Sequence, residues 1–474
     1  MEKKISLSAS TAWYSVGNFL IRSISFLLLP LYTNVLSTAN FGNYALLLSV
    51  YALASVFYQS GMQSALTKFY LDETTFEGRR KVVSTIFNSV TVIGIIFTVL
   101  AAIFSQTLSQ LILQKTQFGN LIVLLFTALF FDSLCYYGLQ LLKTKEKARN
   151  VVTFSFINAV LNFSLNIFFV YNLRMNVEGI FLAQLISAVV LLILLLPNFL
   201  PEYKFHIDNK VMKMVAVFSL PLVASGLLSS AVDVSDRFIL NIFTNKSEVG
   251  IYSLSYKIAM VMNVFVLSFR TAWIPHAIKV YKKDNYSKIF GETFKKLLLG
   301  SFLILLVVVL FSPSLFEIRL FNKNLFNISY QSGIIILPYV LLGYMFNGIA
   351  SFYSLYPFIS SKSIFFLISD GLAFAINILL NWILIPKFGM VGAAAATTLA
   401  FVISAFYLFE ISKKKIEIIY PVKDIIFISL ASILFLIAGL YFKNYLLDGV
   451  LIIAYLVIFG RQAKFNFRNL FSFN

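Results

Sequence analysis

Charge is scarce in this sequence. Only 12% of its 474 residues are Asp, Glu, Lys or Arg, against 59% hydrophobic, and a soluble domain cannot hide that much apolar surface, so the composition belongs in a lipid bilayer. Polar stretches long enough to make an extramembrane domain are missing too, because apolar runs recur along almost the whole chain. Acid is scarcer than base: 20 Asp and Glu stand against 38 Lys and Arg, a net charge of +18. The basic residues fall in short clusters between apolar segments, where topology needs them, so no nucleic-acid partner is expected. Cysteine is limited to Cys135 and histidine to His206 and His276, which are far apart. No disulfide framework, metal site or cofactor is expected from so few ligands. The basic start MEKK is not followed by a short apolar core and a small-residue cleavage site; it reads as leading into a retained first span rather than as a signal peptide.

A helix needs about 20 apolar residues to cross the hydrocarbon core. Runs of that kind predict about fourteen spans: 12–36, 42–67, 82–105, 119–142, 151–171, 178–197, 214–243, 250–275, 294–316, 331–358, 364–385, 390–409, 425–442 and 447–460, the last being short. With a cytoplasmic N-terminus, both termini and the loops after even-numbered spans hold 27 of the 38 Lys and Arg. The opposite loops hold seven, and four more lie within spans. That asymmetry predicts that both termini are cytoplasmic. The clusters Arg79-Arg80-Lys81, Lys143 to Arg149, Lys279 to Lys296 and Lys413-Lys414-Lys415 read as topology signals and as attraction to anionic lipid headgroups.

The two halves of the chain share spaced residues. Asn34, Gly42 and Tyr44 correspond to Asn241, Gly250 and Tyr252, and Lys68-Phe69-Tyr70 to Lys279-Val280-Tyr281. Asn162 and Asn166, ahead of Glu178-Gly179, correspond to Asn377 and Asn381 ahead of Val391-Gly392, all at offsets of 207 to 215 residues. An even number of spans separates the copies, which predicts a parallel repeat: a six-helix lobe over 1–200, a second over 201–412, and two extra helices with a cytoplasmic tail over 413–474.

Four segments, LLLPLYTNVLSTANFGNYAL, GMQSALTKFY, SDRFILNIFTNKSEVGIYSLSYKIA and NILLNWILIPKFGMVGAAAATTLA, resemble the polysaccharide-biosynthesis flippases. These are the O-antigen and capsule-unit translocases of the multidrug, oligosaccharidyl-lipid and polysaccharide exporter superfamily. The resemblance runs from about residue 7 to about 410, and spans 13 and 14 match only in number. It implies an all-α inner-membrane protein with two six-helix lobes around a central cavity, working by alternating access. It also implies a polyprenyl-diphosphate-linked oligosaccharide as cargo, with membrane lipids and other polysaccharide-assembly proteins as partners. Drug exporters share the superfamily, so the fold does not choose the substrate.

Charges inside a span are costly and usually face protein or a watery cavity. Here they are Arg22, Asp132, Asp233, Asp236, Arg237, Lys257, Arg270 and Asp370. A diphosphate crossing hydrocarbon needs a cationic path, and the guanidinium fork pairs well with phosphate oxygens. Arg22 and Arg270 are therefore the first candidates for substrate binding, followed by Arg237 and Lys257. The competing reading pairs each Arg with a nearby Asp to lock helices; Asp233 and Arg237, four residues apart, could pair locally. Lys257 could instead snorkel to the outer interface. Asp132, Asp233 and Asp236 are candidate ion-coupling carboxylates, although the sequence offers Asp132 no partner. Asp370, near a span end, reads as interfacial. The pairs Asn162/Asn166 and Asn377/Asn381 each line one helix face and read mainly as glue between helices. Tyr14, Tyr51, Tyr58 and Tyr256 could stack on sugars, but among 24 Tyr and 51 Phe most aromatics must be packing.

Two rival functions are open on the sequence. A membrane glycosyltransferase or polymerase would need acidic catalytic groups on a sizeable outer loop, and the outer loops are short, with Glu248 and Glu317 and the boundary residues Glu178 and Asp448. A multidrug cation antiporter should present carboxylates to its cargo, yet span 1 carries Arg22. Transport of an anionic lipid-linked sugar, without enzymatic chemistry, is the expectation.

Overall fold

Hydrocarbon offers no water to satisfy backbone groups, so an apolar run must close its hydrogen bonds on itself. Every predicted span is helical. The structure, a computed structural model, describes residues 7–320, 323–360, 364–442 and 444–462. In chain order the helices are α1 (Leu7–Val35), α2 (Thr38–Gln59), α3 (Met62–Asp72), α4 (Phe76–Ile103), α5 (Ser105–Leu113), α6 (Gly119–Thr144), α7 (Ala148–Asn166) and α8 (Asn176–Phe199). They continue as α9 (Asn209–Phe243), α10 (Lys246–Val280), α11 (Tyr286–Phe311), α12 (Leu337–Tyr353), α13 (Leu355–Ile359), α14 (Ile364–Lys413), α15 (Val422–Phe442) and α16 (Tyr445–Gln462). A π-helical turn, Ile167–Asn172, extends α7, and the only strands among the described residues are a two-residue ladder joining Arg319–Leu320 to Lys323–Asn324.

Eleven helical stretches are long and apolar enough to cross a membrane, α2 and α3 counting as one. The 50-residue α14 contains two crossings, because Gly389 interrupts it at φ 53 and ψ −133. With α1 and the shorter α16, the described residues hold 14 crossings. The protein is a multi-pass integral membrane protein. The break at Gly389 is built from both sides: the backbone there is left-handed, and a Cβ would collide with the Glu248 carboxylate. That same carboxylate accepts the Met390 N–H at 2.8 Å, capping the restarted helix where its orphan donors and positive dipole end favour an anion.

The chain forms two compact units, Met1–Val234 and Ser235–Asn474. The core of the first is made by Val83, Ile86 and Val90 of α4, Tyr137 and Leu141 of α6, and Leu191 and Leu195 of α8. On the far face of α4, Val92, Ile95, Ile96 and Val99 are all about half exposed, a helical stripe that suits lipid. Between α2 and α3 the chain bends through Ser60 and Gly61, both left-handed. A Cβ on Gly61 would meet the Ser219 carbonyl at 2.8 Å, so glycine lets the bend press against α9.

In the second unit Trp273 of α10 stacks on Phe352 of α12 at 4.8 Å and donates its indole N–H to the Phe352 carbonyl at 3.0 Å. The last two helices dock on α11. Leu298, Phe302 and Leu306 meet Ile428 of α15 and Tyr455 and Phe459 of α16, Tyr455 donates to the Leu299 carbonyl at 3.0 Å, and Lys295 reaches Asp424 at 3.0 Å.

Candidate functional site

Each unit holds a buried polar cluster assembled around one of the asparagine pairs. In the first, the Tyr32 hydroxyl on α1 donates to Asn166 Oδ1 at 2.8 Å. Asn166 Nδ2 donates to Asn162 Oδ1 at 3.0 Å, and Asn162 Nδ2 donates to Gln184 Oε1 and Ser187 Oγ of α8, each at 3.1 Å. Gln184 Nε2 then donates to Asp132 Oδ2 at 2.5 Å, and Tyr51 of α2 donates to the same oxygen. One chain of hydrogen bonds thus joins α1, α7, α8, α6 and α2. Asp132, for which the sequence suggested no partner, has two donors here. A cavity of about 210 Å³ lies beside the chain, with Asn158, Asn162 and Gln184 on its wall among leucines and isoleucines. Asn158 Oδ1 is buried there with no partner among the described residues.

The second unit repeats the local pattern. Asn381 Nδ2 donates to Asn377 Oδ1 at 2.9 Å, and Asn377 Nδ2 donates to a hydroxyl on the following span, Thr397, at 3.1 Å. Ser235 of α9 closes the cluster with a 3.0 Å bond to Asn377 Oδ1. The same i to i+4 bond and the same reach to the next span's hydroxyl occur in both units, which identifies the pairs as helix ties. Gln184, Ser187 and Thr397 escaped the sequence reading; the signal that could have found them is uncharged polarity inside a span.

Next to the second cluster lies the charged one. Asp236 is fully buried; Tyr252 donates to its Oδ2 at 2.5 Å, and the Arg237 guanidinium reaches Oδ1 at 3.2 Å. The guanidinium also lies 4.8 Å from the Tyr256 ring centre and 5.9 Å from that of Tyr252, close enough for cation–π attraction. Lys257 follows on α10, half-buried and near enough to Arg237 for their charges to repel. Asp233 is exposed one turn before Arg237. Arg270, thirteen residues past Lys257 on α10, is exposed, as is Asp370 on α14, which feels its charge. Arg22 lies on α1, but its side chain, like that of Tyr14, falls outside the described residues. Tyr58 bonds Thr98 at 2.8 Å. Among the described residues no group of three or more His, Cys, Asp or Glu is placed to hold a metal ion.

Residues 7–281, more than half of the chain, match the polysaccharide biosynthesis protein family. The chain belongs to that family. It is 23% identical to an uncharacterized membrane protein of Methanocaldococcus jannaschii, over 95% of this chain and 92% of that one. It is 26% identical to the capsular polysaccharide biosynthesis protein CapF of Staphylococcus aureus, over 51% of this chain and 63% of that one. Among solved structures, the lipid II flippase MurJ in an inward closed conformation superposes with a TM-score of 0.78 at 18% identity, covering 95% of this chain and 99% of that one. An inward-facing multidrug resistance MATE family transporter of the MOP superfamily superposes at 0.68 and 15% identity, covering 83% and 94%. This member of the polysaccharide biosynthesis family therefore shares the fold of those two solved structures.

Proposed function

We propose that the protein is a flippase that moves a polyprenyl-diphosphate-linked oligosaccharide from the cytoplasmic to the outer leaflet of the plasma membrane, by alternating access between two six-helix lobes. The observation that carries the reading is the exposed guanidinium of Arg270 on α10. No carboxylate lies between it and Lys257, thirteen residues earlier on the same unbroken helix, and that spacing turns the two cations to nearly opposite faces. Arg270 is not covered by protein, and a guanidinium facing hydrocarbon is expensive, so its open side belongs to water or to an anion. An open guanidinium within a span suits a diphosphate and repels a cationic drug, which argues against an antiporter of the MATE kind. The similarity to proteins named for lipid II flipping and capsular polysaccharide biosynthesis supports the choice of cargo. In cells lacking the protein, surface polysaccharide is expected to fall and lipid-linked oligosaccharide to accumulate where an impermeant lectin cannot reach it in spheroplasts. Unchanged surface polysaccharide without such accumulation would refute the assignment.

The orientation belongs to the same proposal and rests on the uneven distribution of Lys and Arg between alternate loops. Both termini are placed in the cytoplasm. Single-cysteine labelling in a Cys135→Ser background tests it at two exposed positions. Arg149→Cys should resist an impermeant maleimide on intact cells, and Lys387→Cys should react. Arg149 serves better than Lys145, whose ammonium is tied to Glu202 at 2.9 Å. The reverse labelling pattern would invert the topology and with it the direction of transport.

A further inference from the structure

We propose that a groove on the first unit, between α3 and the start of α9, is a loading site where the diphosphate end of the lipid-linked cargo docks before transport; the inference rests on the flippase reading above. The groove has a volume of about 800 Å³. Three ammonium groups border it, Lys68 from α3 and Lys210 and Lys213 from the first turns of α9, over a wall of Phe69, Val217 and Phe218. Among the described residues none of these lysines is in an ion pair. Lys68 instead lies 4.9 Å from the centre of the Phe218 ring, which meets Phe69 edge-on at 5.8 Å. The nearby carboxylate, Asp208, is engaged elsewhere. It accepts the Lys210 and Val211 N–H groups at 2.9 and 3.1 Å and faces Lys81 at 3.9 Å. The backbone donors hold its pKa below the usual carboxylate value.

The groove is graded along its length. Lys210 and Lys213 stand at the mouth, and Val217 and Pro221 follow on the same helix face, the last about 16 Å deeper at the helical rise. Val217 is 70% exposed, so the inner wall is an uncovered apolar surface. An occupant must therefore be anionic at one end and apolar beyond it. Three lysines exceed what a phospholipid carrying one negative charge needs, whereas two adjacent phosphates match them, each ammonium acting as a point-charge partner. That charge complementarity selects the polyprenyl diphosphate over bulk lipid.

The test uses the full chain in nanodiscs of phosphatidylcholine, with geranylgeranyl diphosphate as probe and phosphatidylglycerol as competitor. Lys68→Gln/Lys210→Gln/Lys213→Gln should bind the probe about tenfold or more weakly than the unmodified protein, since each charge-assisted contact contributes strongly. The matching triple Arg variant should retain binding, which separates lost charge from lost fold. Equal binding by the Gln variant would overturn the groove while leaving the flippase reading intact. Displacement by phosphatidylglycerol at equal concentration would make it a seat for ordinary anionic lipid. No binding of the probe to the unmodified protein would count against both readings.

Discussion

Replacing Arg270 with Ala should reduce surface polysaccharide about tenfold to a hundredfold at unchanged membrane abundance, the loss expected when one charge-assisted, bidentate phosphate contact is removed. Two features separate this effect from misfolding. Arg270 is exposed on α10, so truncation opens no hole in a core. Asp370, an acid near enough to feel its charge, is exposed as well, so neither side chain is packed into a core. Arg270→Lys should restore export only in part, because the charge remains and the two-pronged geometry is lost. A purely structural pairing with Asp370 makes a different forecast: Asp370→Ala would reproduce the defect, and exchanging the two residues would cure it. Surface polysaccharide in cells carrying each variant, compared at matched abundance, decides between them. Normal export from Arg270→Ala would sink the cargo-binding role.

The Asp236–Arg237 pair should behave in the opposite way. Asp236 is fully buried, and its carboxylate is held by the Arg237 guanidinium at 3.2 Å and the Tyr252 hydroxyl at 2.5 Å. Arg237→Ala would leave that carboxylate buried without its cation, a loss of about 3–5 kcal/mol for a pair broken from one side. The expected result is low membrane abundance and a clearly reduced midpoint of thermal unfolding, measured on detergent-solubilised protein by size-exclusion after heating. The double variant Asp236→Asn/Arg237→Gln removes both charges together and should recover most of the lost stability. That outcome would assign Arg237 a structural duty, with the Tyr252 and Tyr256 rings beside its guanidinium. Should Arg237→Ala accumulate normally and lose only export, the residue would join Arg270 as a cargo contact.

The contrast between these two arginines shows where sequence reasoning stops. Both are cations inside an apolar run, and by that pattern both are candidates to bind a diphosphate. Their difference lies in what surrounds them. Arg237 sits between an adjacent carboxylate and two rings from α10, whereas Arg270 projects from the uncovered side of that helix. Asp132 makes the same point. Its donors, Tyr51 and Gln184, are 81 and 52 residues away in sequence, and no local pattern singles them out from the other tyrosines and polar residues within spans. The asparagine pairs were half legible: i and i+4 spacing placed each pair on one helix face, but their hydroxyl partners on the next span emerged only from the packed helices. The groove between α3 and α9 was not legible at all, because it depends on the bend at Gly61 and on the close approach of the Ser219 carbonyl.

The sequence by itself determined the class of the protein, its spans, and which charges fall within those apolar runs. Those properties are local: crossing a bilayer requires a certain length of apolar chain, and a charge within that length is conspicuous without knowledge of its neighbours. Even the interruption between spans 11 and 12 falls where the reading divides them, since Gly389 lies in the gap left between 385 and 390. Only the tertiary structure decided which polar side chains meet, which arginine is locked and which is open, and where the last two helices dock. Those outcomes depend on the rotation and contact of helices distant in sequence, set by side-chain interlocking along whole faces rather than by any one residue's preference.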